Sequence, residues 1–449
     1  MKYAPLLFLL LTFGCSKNEP TADSSLSLSA NNIRLDGAVG STNTFTVTTN
    51  GSWTTTVSPS GIIEVSPSSG TGTTNVTIST LQANTSSSAR TINITIRVGN
   101  TTQQIVVTQD PVSQNWNNFL VGNNGDEAIY KSILNPDGSM LHVGYEYGIG
   151  AAYPNNKGDK DMLLIKTDNQ GKVVWSKTYG GEAEDILYSC LSVSGGYLVT
   201  GHTKSNTGDF SASKGGNDAL LMKIDENGNM LWAKRFGGSR EDAFFEFCLT
   251  SDSKVYAVGR SESVDGNLPV GTGLKGTEIW VAKFDLDGNL LQSLVYGNLD
   301  NDQGFDIEIN AANEIFVTGT LRYSVSDPSN NFPVAKNESD FFLMKLDPQG
   351  KMLWNKVAGG VGPDQGTALL PLNDGGVITN IFVGSLDFPG TANLGGMDGL
   401  VIRYDKDGQL LWQKRVGGLG DDIIDNITKS GNDKFVVAGY SKSIIGNNS

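Results

Sequence analysis

Six aspartates recur at nearly even spacing, Asp126, Asp185, Asp242, Asp302, Asp364 and Asp422. Carboxylates repeated in this way have two chemical uses: they accept hydrogen bonds from backbone amides at a tight turn, or they crowd a common axis and hold a cation. Presence in every copy favours the cap, because a ligand site seldom draws on all repeats equally. A second series, Asp168, Asp225, Asp285, Asp347 and Asp405, stands three residues before Gly171, Gly228, Gly288, Gly350 and Gly408. Asp285-Leu-Asp287-Gly288 and Asp405-Lys-Asp407-Gly408 look like the start of a calcium loop, yet an EF-hand needs a terminal glutamate and flanking helices that do not fit here. A hairpin turn using Asp and Gly explains all five copies. Cys190 and Cys248 each precede the glycine that ends a strand by 11 residues, and the expectation is two buried free thiols at equivalent positions. His142 and His202 lack a matched Ser or Cys, so no nucleophilic triad is supported. With two histidines and three cysteines in 449 residues, neither a multi-histidine site nor a zinc ribbon is available, and no metal or cofactor is expected.

These residues sit in one unit that recurs every 57 to 62 residues from Trp116 onward. Its clearest copy runs from Gly180-Gly181 and Asp185 through Gly195 to Gly201, then from Asp218 to Asp225, Gly228 and Trp232. Four short apolar runs separated by turns, with no helical period, make a four-stranded antiparallel unit whose strands are here lettered A to D. The strand D tryptophan recurs at Trp116, Trp175, Trp232, Trp354 and Trp412, with Gln292 in its place once. Six copies closed in a ring predict a six-bladed β-propeller with few free sheet edges. Trp116 lies in a D strand without its own A, B and C. Strand C starts 17 to 21 residues after strand B ends, at Asp161, Asp218, Glu278, Asp340 and Asp398, and the same count from Gly439 passes Ser449. The last blade is therefore expected to be incomplete. A net charge of −14 without a basic cluster excludes a nucleic-acid partner.

The pieces Phe236-Gly-Gly238, Asp242, Val199-Thr-Gly-His-Thr203 and Asp387-Phe388-Pro389 resemble the bacterial SBBP propeller repeats across residues 116 to 449. That resemblance implies architecture more than activity. The tryptophan four residues after each turn glycine is similar to the tryptophan-docking motif of pyrroloquinoline quinone propellers, but the Asp-to-Gly spacing is one residue shorter and the repeats number six, so packing between blades is the preferred reading.

The N-terminus has a basic start at Lys2, an apolar run from Ala4 to Phe13 and a small residue before Cys15. This run is too short to span a bilayer and suits the core of an export signal. Leu11-Thr12-Phe13-Gly14-Cys15 resembles the lipobox of bacterial, Bacteroidetes-type lipoproteins, which implies that residues 1–15 are a signal peptide and that Cys15 is lipidated. Residues 16–24 then form a polar tether. Residues 25–110 are rich in Ser, Thr, Asn, Val and Ile with strict alternation at Ile92-Asn-Ile94-Thr-Ile96-Arg-Val98, which predicts a small immunoglobulin-like β-sandwich. Phe45 to Val47, Asn50 through Trp53, Val65-Ser-Pro67-Ser-Ser-Gly70, Arg90 and Val106-Val-Thr-Gln109 resemble the BACON domain family, for which carbohydrate binding and a spacer role are implied. Phe45 and Trp53 both stand in alternating strands where an inward side chain is the default, so the spacer reading is preferred.

The propeller then occupies residues 111–449, and its long B–C loops are where a grafted site belongs. Tyr145, Tyr147, Tyr153, Phe332 and Phe388 are the candidate ligand-binding residues there, suited to glycan stacking or a protein contact, and equally to pinning the loop to its blade. The expected function is a non-enzymatic binding or scaffold lipoprotein, anchored by lipid at the outer membrane and facing the cell surface. The alternative is a polysaccharide-degrading lyase or hydrolase with its site on the same face.

Overall fold

The computed structural model describes residues 25–86, 88–111, 126–147, 156–211, 213–269, 276–297, 301–322, 332, 339–430 and 434–443. Every helix or strand among them is a strand, and the chain separates into two compact units that divide near residue 115.

In the first unit a four-stranded sheet has the order Leu26–Leu28, Thr42–Thr49, Thr74–Thr80, Ile63–Ser66. A five-stranded sheet has the order Asn32–Leu35, Thr101–Gln109, Arg90–Val98, Ser52–Ser58, Ser69–Thr71. Alternation in Arg90–Val98 sends Ile92, Ile94, Ile96 and Val98 inward, where they share one core with Phe45, Val47, Val76 and Ile78 of the other sheet. Trp53 and Phe45 are both buried in that core, at 1% and 2% exposure, so neither ring is offered to a ligand. Gly70 is required beside Trp53, since a Cβ there would lie 2.9 Å from the indole.

In the second unit, antiparallel four-stranded sheets follow one another in chain order, which is the construction of a β-propeller. Their A strands are Asp126–Leu134, Asp185–Val193, Asp242–Leu249, Gln303–Ile309 and Asp364–Pro371. A further pair, Asp422–Lys429 with Phe435–Ser441, forms a two-stranded sheet among the described residues. Each A strand after the first packs on strands of the preceding sheet. The C strands read as continuous apolar runs, such as Met162-Leu-Leu-Ile165 and Phe341-Phe-Leu-Met344, because both their faces are covered.

Every A strand carries a bulge at the same place, leaving Tyr130, Tyr188, Phe245, Phe305, Thr367 and Asp425 without a partner on strand B. Just before the bulge the two backbones come so close that strand B takes glycine, except in the fifth sheet, where Ile381 stands opposite Gly366. A Cβ on Gly144, Gly201 or Gly259 would stand 1.8, 1.9 or 2.0 Å from the carbonyl oxygen of Ala128, Ile186 or Ala243. The bulge also gives an unambiguous register. Asp185, Asp242, Asp302, Asp364 and Asp422 each stand three residues before it, whereas in the first sheet that position belongs to Glu127, which pairs with Glu146 as Asp185 pairs with Thr203. Asp126 is thus one residue out of register with the series to which its sequence spacing assigned it. The same register separates the two cysteines: both are buried and free, but Cys190 pairs with Val199 two residues before Gly201, and Cys248 pairs with Tyr256 three residues before Gly259. The A–B turn of the third sheet is one residue longer, which hid this shift from a count along the chain.

Candidate functional site

The recurring residues hold the sheets together. Asp185 is fully buried and accepts hydrogen bonds from the Gly181 amide at 2.9 Å, the Ser205 hydroxyl at 2.6 Å and the Thr203 hydroxyl. Asp242, Asp364 and Asp422 repeat the pattern with Gly238, Gly360 and Gly418 at 2.8, 2.9 and 2.7 Å. Asp302 accepts from the Arg322 amide at 2.8 Å. Burial pushes Asp185, Asp242 and Asp364 above the usual carboxylate range, and the donated hydrogen bonds oppose it.

The C–D turn aspartates are consumed locally. Asp225 Oδ1 accepts from the amides of Asn227 and Asn229 at 2.9 and 2.8 Å, and Asp285 and Asp405 do the same. The tryptophans reach the next sheet: the Trp175 indole donates to the Glu226 carbonyl at 3.1 Å and Trp354 to the Lys406 carbonyl at 3.0 Å, each lying against a turn glycine with positive φ, Gly228 or Gly408. Trp232 lies against Gly288 in the same way, Gln292 donates to the Gln349 carbonyl at 2.8 Å, and Trp412 stacks on Phe435 at 6.2 Å. Trp116 lies outside the described residues.

What varies between sheets is the bulge residue and its neighbours. Successive bulges bring Tyr130 to 5.1 Å from Tyr188, Tyr188 to 5.2 Å from Phe245, and Phe245 to 5.7 Å from Phe305, a row of four rings crossing four sheets. Tyr145 extends it, 5.9 Å from Tyr130. Tyr130 is 51% exposed, so the row has a solvent-facing end. Polar groups line that end. Lys160 Nζ lies 4.9 Å over the Tyr145 ring and 3.0 Å from Glu184, and Glu184 also meets His202 Nε2 at 3.3 Å. The His202 ring stands 5.6 Å from Tyr188. His202 and Lys160 hold the Glu184 carboxyl down to about 2 against the opposing effect of burial.

One residue past the first, third and fourth bulges stand the charged residues Lys131, Glu246 and Asp306, with Ser189 at that place in the second sheet. Lys131 of the first sheet passes the second sheet to reach Glu246 of the third at 2.7 Å. Ser189 donates to the same Glu246 carboxylate. Asp306 accepts from the amides of Ile307 and Leu369 at 2.9 and 2.6 Å. Burial, then the charge of Glu246, raises Asp306 well above the usual range, and burial raises Glu308 likewise. Although burial opposes its charge, Glu246 and Asp306 hold the Lys131 ammonium above the ordinary lysine range.

Of the ligand-binding residues expected in the long loops, Tyr145 and Tyr147 lie instead in strand B, Met140–Tyr147, paired on both sides; Tyr145 belongs to this surface and Tyr147 is exposed at 45%. Tyr153 and Cys15 lie outside the described residues. Phe332 and Phe388 do not face solvent. Phe332 is 8% exposed and packs edge-on against Phe342, and Phe388 is 2% exposed within the core of the fifth sheet. Phe210 and Leu268 are buried in the same manner from earlier loops, so this loop residue pins its blade. Tyr130, Tyr188, Phe245 and Phe305 were missed, though an aromatic three residues after Asp185, Asp242 and Asp302 is visible along the chain.

No protein-family model matches the chain. It is 25% identical over 365 residues to the regulatory protein FlaEY of Caulobacter vibrioides, covering 71% of this chain and 37% of that protein, so the chain spans well under half of that relative's length. Among solved structures, a puromycin hydrolase is 12% identical over 77% of this chain and 46% of that one, with a TM-score of 0.38. A quinonprotein alcohol dehydrogenase-like protein of Bacteroides thetaiotaomicron is 10% identical over 86% and 94%, with a TM-score of 0.26. A Bacteroides ovatus GH5 xyloglucanase solved with a XXXG heptasaccharide is 22% identical over 22% of this chain and 21% of that chain, with a TM-score of 0.19. Scores this low carry no functional argument.

Proposed function

We propose that the protein is an exported, lipid-anchored module of the bacterial outer membrane that binds glycan at the cell surface without cleaving it. Six recurrences of the bulge, five of them in four-stranded sheets, support a six-bladed ring, and the two sheets around one core support a BACON-like β-sandwich acting as a spacer. The observation that carries the binding reading is the ring row from Tyr145 through Tyr130 to Tyr188, bordered by Lys160, Glu184 and His202. Aromatic faces stack on the C–H faces of sugars, and adjacent charged groups bond their hydroxyls. Glu184 is held ionised by its two partners, which suits a hydrogen-bond acceptor and not an acid that protonates a leaving group. The full chain is expected to bind members of a glycan array, with Tyr130→Ala lowering affinity about 10-fold or more, equivalent to the loss of one stacking face. Capture of a protein in place of any glycan, or release of sugar products, would replace this reading.

A further inference from the structure

The second and fifth sheets of the propeller each bury an aspartate at the start of strand C beside an arginine of strand D. Arg235 Nη1 donates to Asp218 at 3.1 Å while Nη2 meets Thr203 Oγ1 at 3.3 Å and the Ser205 carbonyl. Arg415 Nε lies 2.8 Å from Asp398 and Nη2 3.3 Å from the Ser385 carbonyl. Both guanidinium side chains are almost wholly enclosed, at 7% and 4% exposure, and both aspartates at 0%. One oxygen of each aspartate still lacks a hydrogen bond, but its charge is compensated.

Register identifies the same three positions in the first sheet. Thr178 pairs with Leu163 as Arg235 pairs with Leu220, Asp161 stands two residues before Leu163, and Glu146 pairs with Asp161 where Thr203 pairs with Asp218. Here the arginine is missing and a second carboxylate has been added. Glu146 and Asp161 are both 0% exposed. Both Glu146 oxygens, Asp161 Oδ1 and Thr178 Oγ1 are buried without a hydrogen-bond partner among the described residues. The other Asp161 oxygen accepts the Lys157 amide, at 2.7 Å. Gly180 keeps the space open, since a Cβ there would lie 2.0 Å from Asp161 Oδ1 and 3.0 Å from Asp185 Oδ2. The third and fourth sheets carry one carboxylate each at this level, Glu278 and Asp340, opposite Ser261 and Leu321.

Two adjacent carboxylates do not remain buried and charged without a counter-cation. We propose that Glu146, Asp161 and Thr178 bind a divalent cation of the calcium class in the place that a guanidinium fills in the second and fifth sheets. Glu146 supplies two oxygens, Asp161 one and Thr178 its hydroxyl, and a calcium ion completes six to eight oxygen ligands with carbonyls and water. No trio of His, Cys, Asp or Glu converges among the described residues, so the site depends on this hydroxyl and on the volume the arginine vacates.

The test is thermal melting and calorimetric titration of the full chain with calcium chloride or magnesium chloride after treatment with a chelator. Calcium is expected to bind at one site and raise Tm by ~3 °C or more at saturating concentration, with a smaller effect of magnesium. Glu146→Gln should abolish the response. Thr178→Arg should abolish it too while raising Tm in chelator, because the variant carries its own cation. No calcium response in the native chain, an equal response to magnesium, or a response retained in Thr178→Arg would overturn the proposal, the last holding even where Glu146→Gln does not fold.

Discussion

The first and second sheets of the propeller share strand order, the bulge on strand A, the glycine opposite it and the aspartate that opens strand C, yet they differ at four positions where side chains from two strands converge. Glu127 replaces Asp185, Glu146 replaces Thr203, Thr178 replaces Arg235 and Lys131 replaces Ser189. In the second sheet Asp185 is closed off by two hydroxyls and an amide, and Asp218 by a guanidinium. In the first the acids are doubled and the covalently attached cation is absent, while a lysine is sent to the third sheet. Identical backbone with altered charge shows that the repeat fixes geometry and leaves its chemistry to a few side chains.

The comparison breaks most sharply at Arg235. Arg235→Met leaves Asp218 buried and unpaired, and urea unfolding should show a loss of ~3–5 kcal/mol, whereas Thr178→Met in the first sheet should cost far less. An equal loss at both positions would mean that the two sites are not counterparts. Next comes the register. Asp185→Ala strands the Gly181 amide and two hydroxyls and should cost ~2–3 kcal/mol, while exposed Asp126→Ala should cost no more than ~0.5 kcal/mol; a comparable cost for Asp126 would restore it to the series.

The enclosed carboxyls give a pH signature. Asp306 and Glu308 have folded-state values raised above those of the unfolded chain, so the folded state holds more protons between the two. Their contribution is greatest below the ordinary carboxylate range and declines as pH rises through the raised values. The unfolding free energy from urea titrations should therefore fall between pH 5 and pH 8 by an amount of order 1–2 kcal/mol, and Glu308→Gln should flatten the profile. A profile unchanged in that variant would assign the slope to other groups. A small effect, above only that of the exposed Asp126→Ala control, is expected for Trp175→Gln. Gln292 already keeps the carbonyl bond across to the next sheet, so only ring packing is lost, about 1 kcal/mol by the same unfolding measurement.

Much of the fold could be read along the chain. Recurrent Asp, Gly and Trp marked the turns and the contacts between sheets because those jobs are local or repeat identically, and local constraints leave a periodic trace. The candidate surface was read less well. Tyr145 was assigned to a loop but stands in strand B, and Phe332 and Phe388 were drawn in with it although they are buried, since composition says neither where a strand ends nor which way a ring turns. The aromatic row had a periodic signal that was overlooked in favour of long loops.

The sequence by itself therefore determined the strand count per unit, the turn chemistry and the all-β class, which depend on residues within a few positions of one another. Only the tertiary structure decided that a bulge shifts Glu127 into the aspartate series, that four bulge rings touch, and that Lys131 meets Glu246, 115 residues away. Those contacts are made when successive sheets turn their first strands toward a common space, and the distance between side chains there is set by how the sheets pack, which no local pattern encodes.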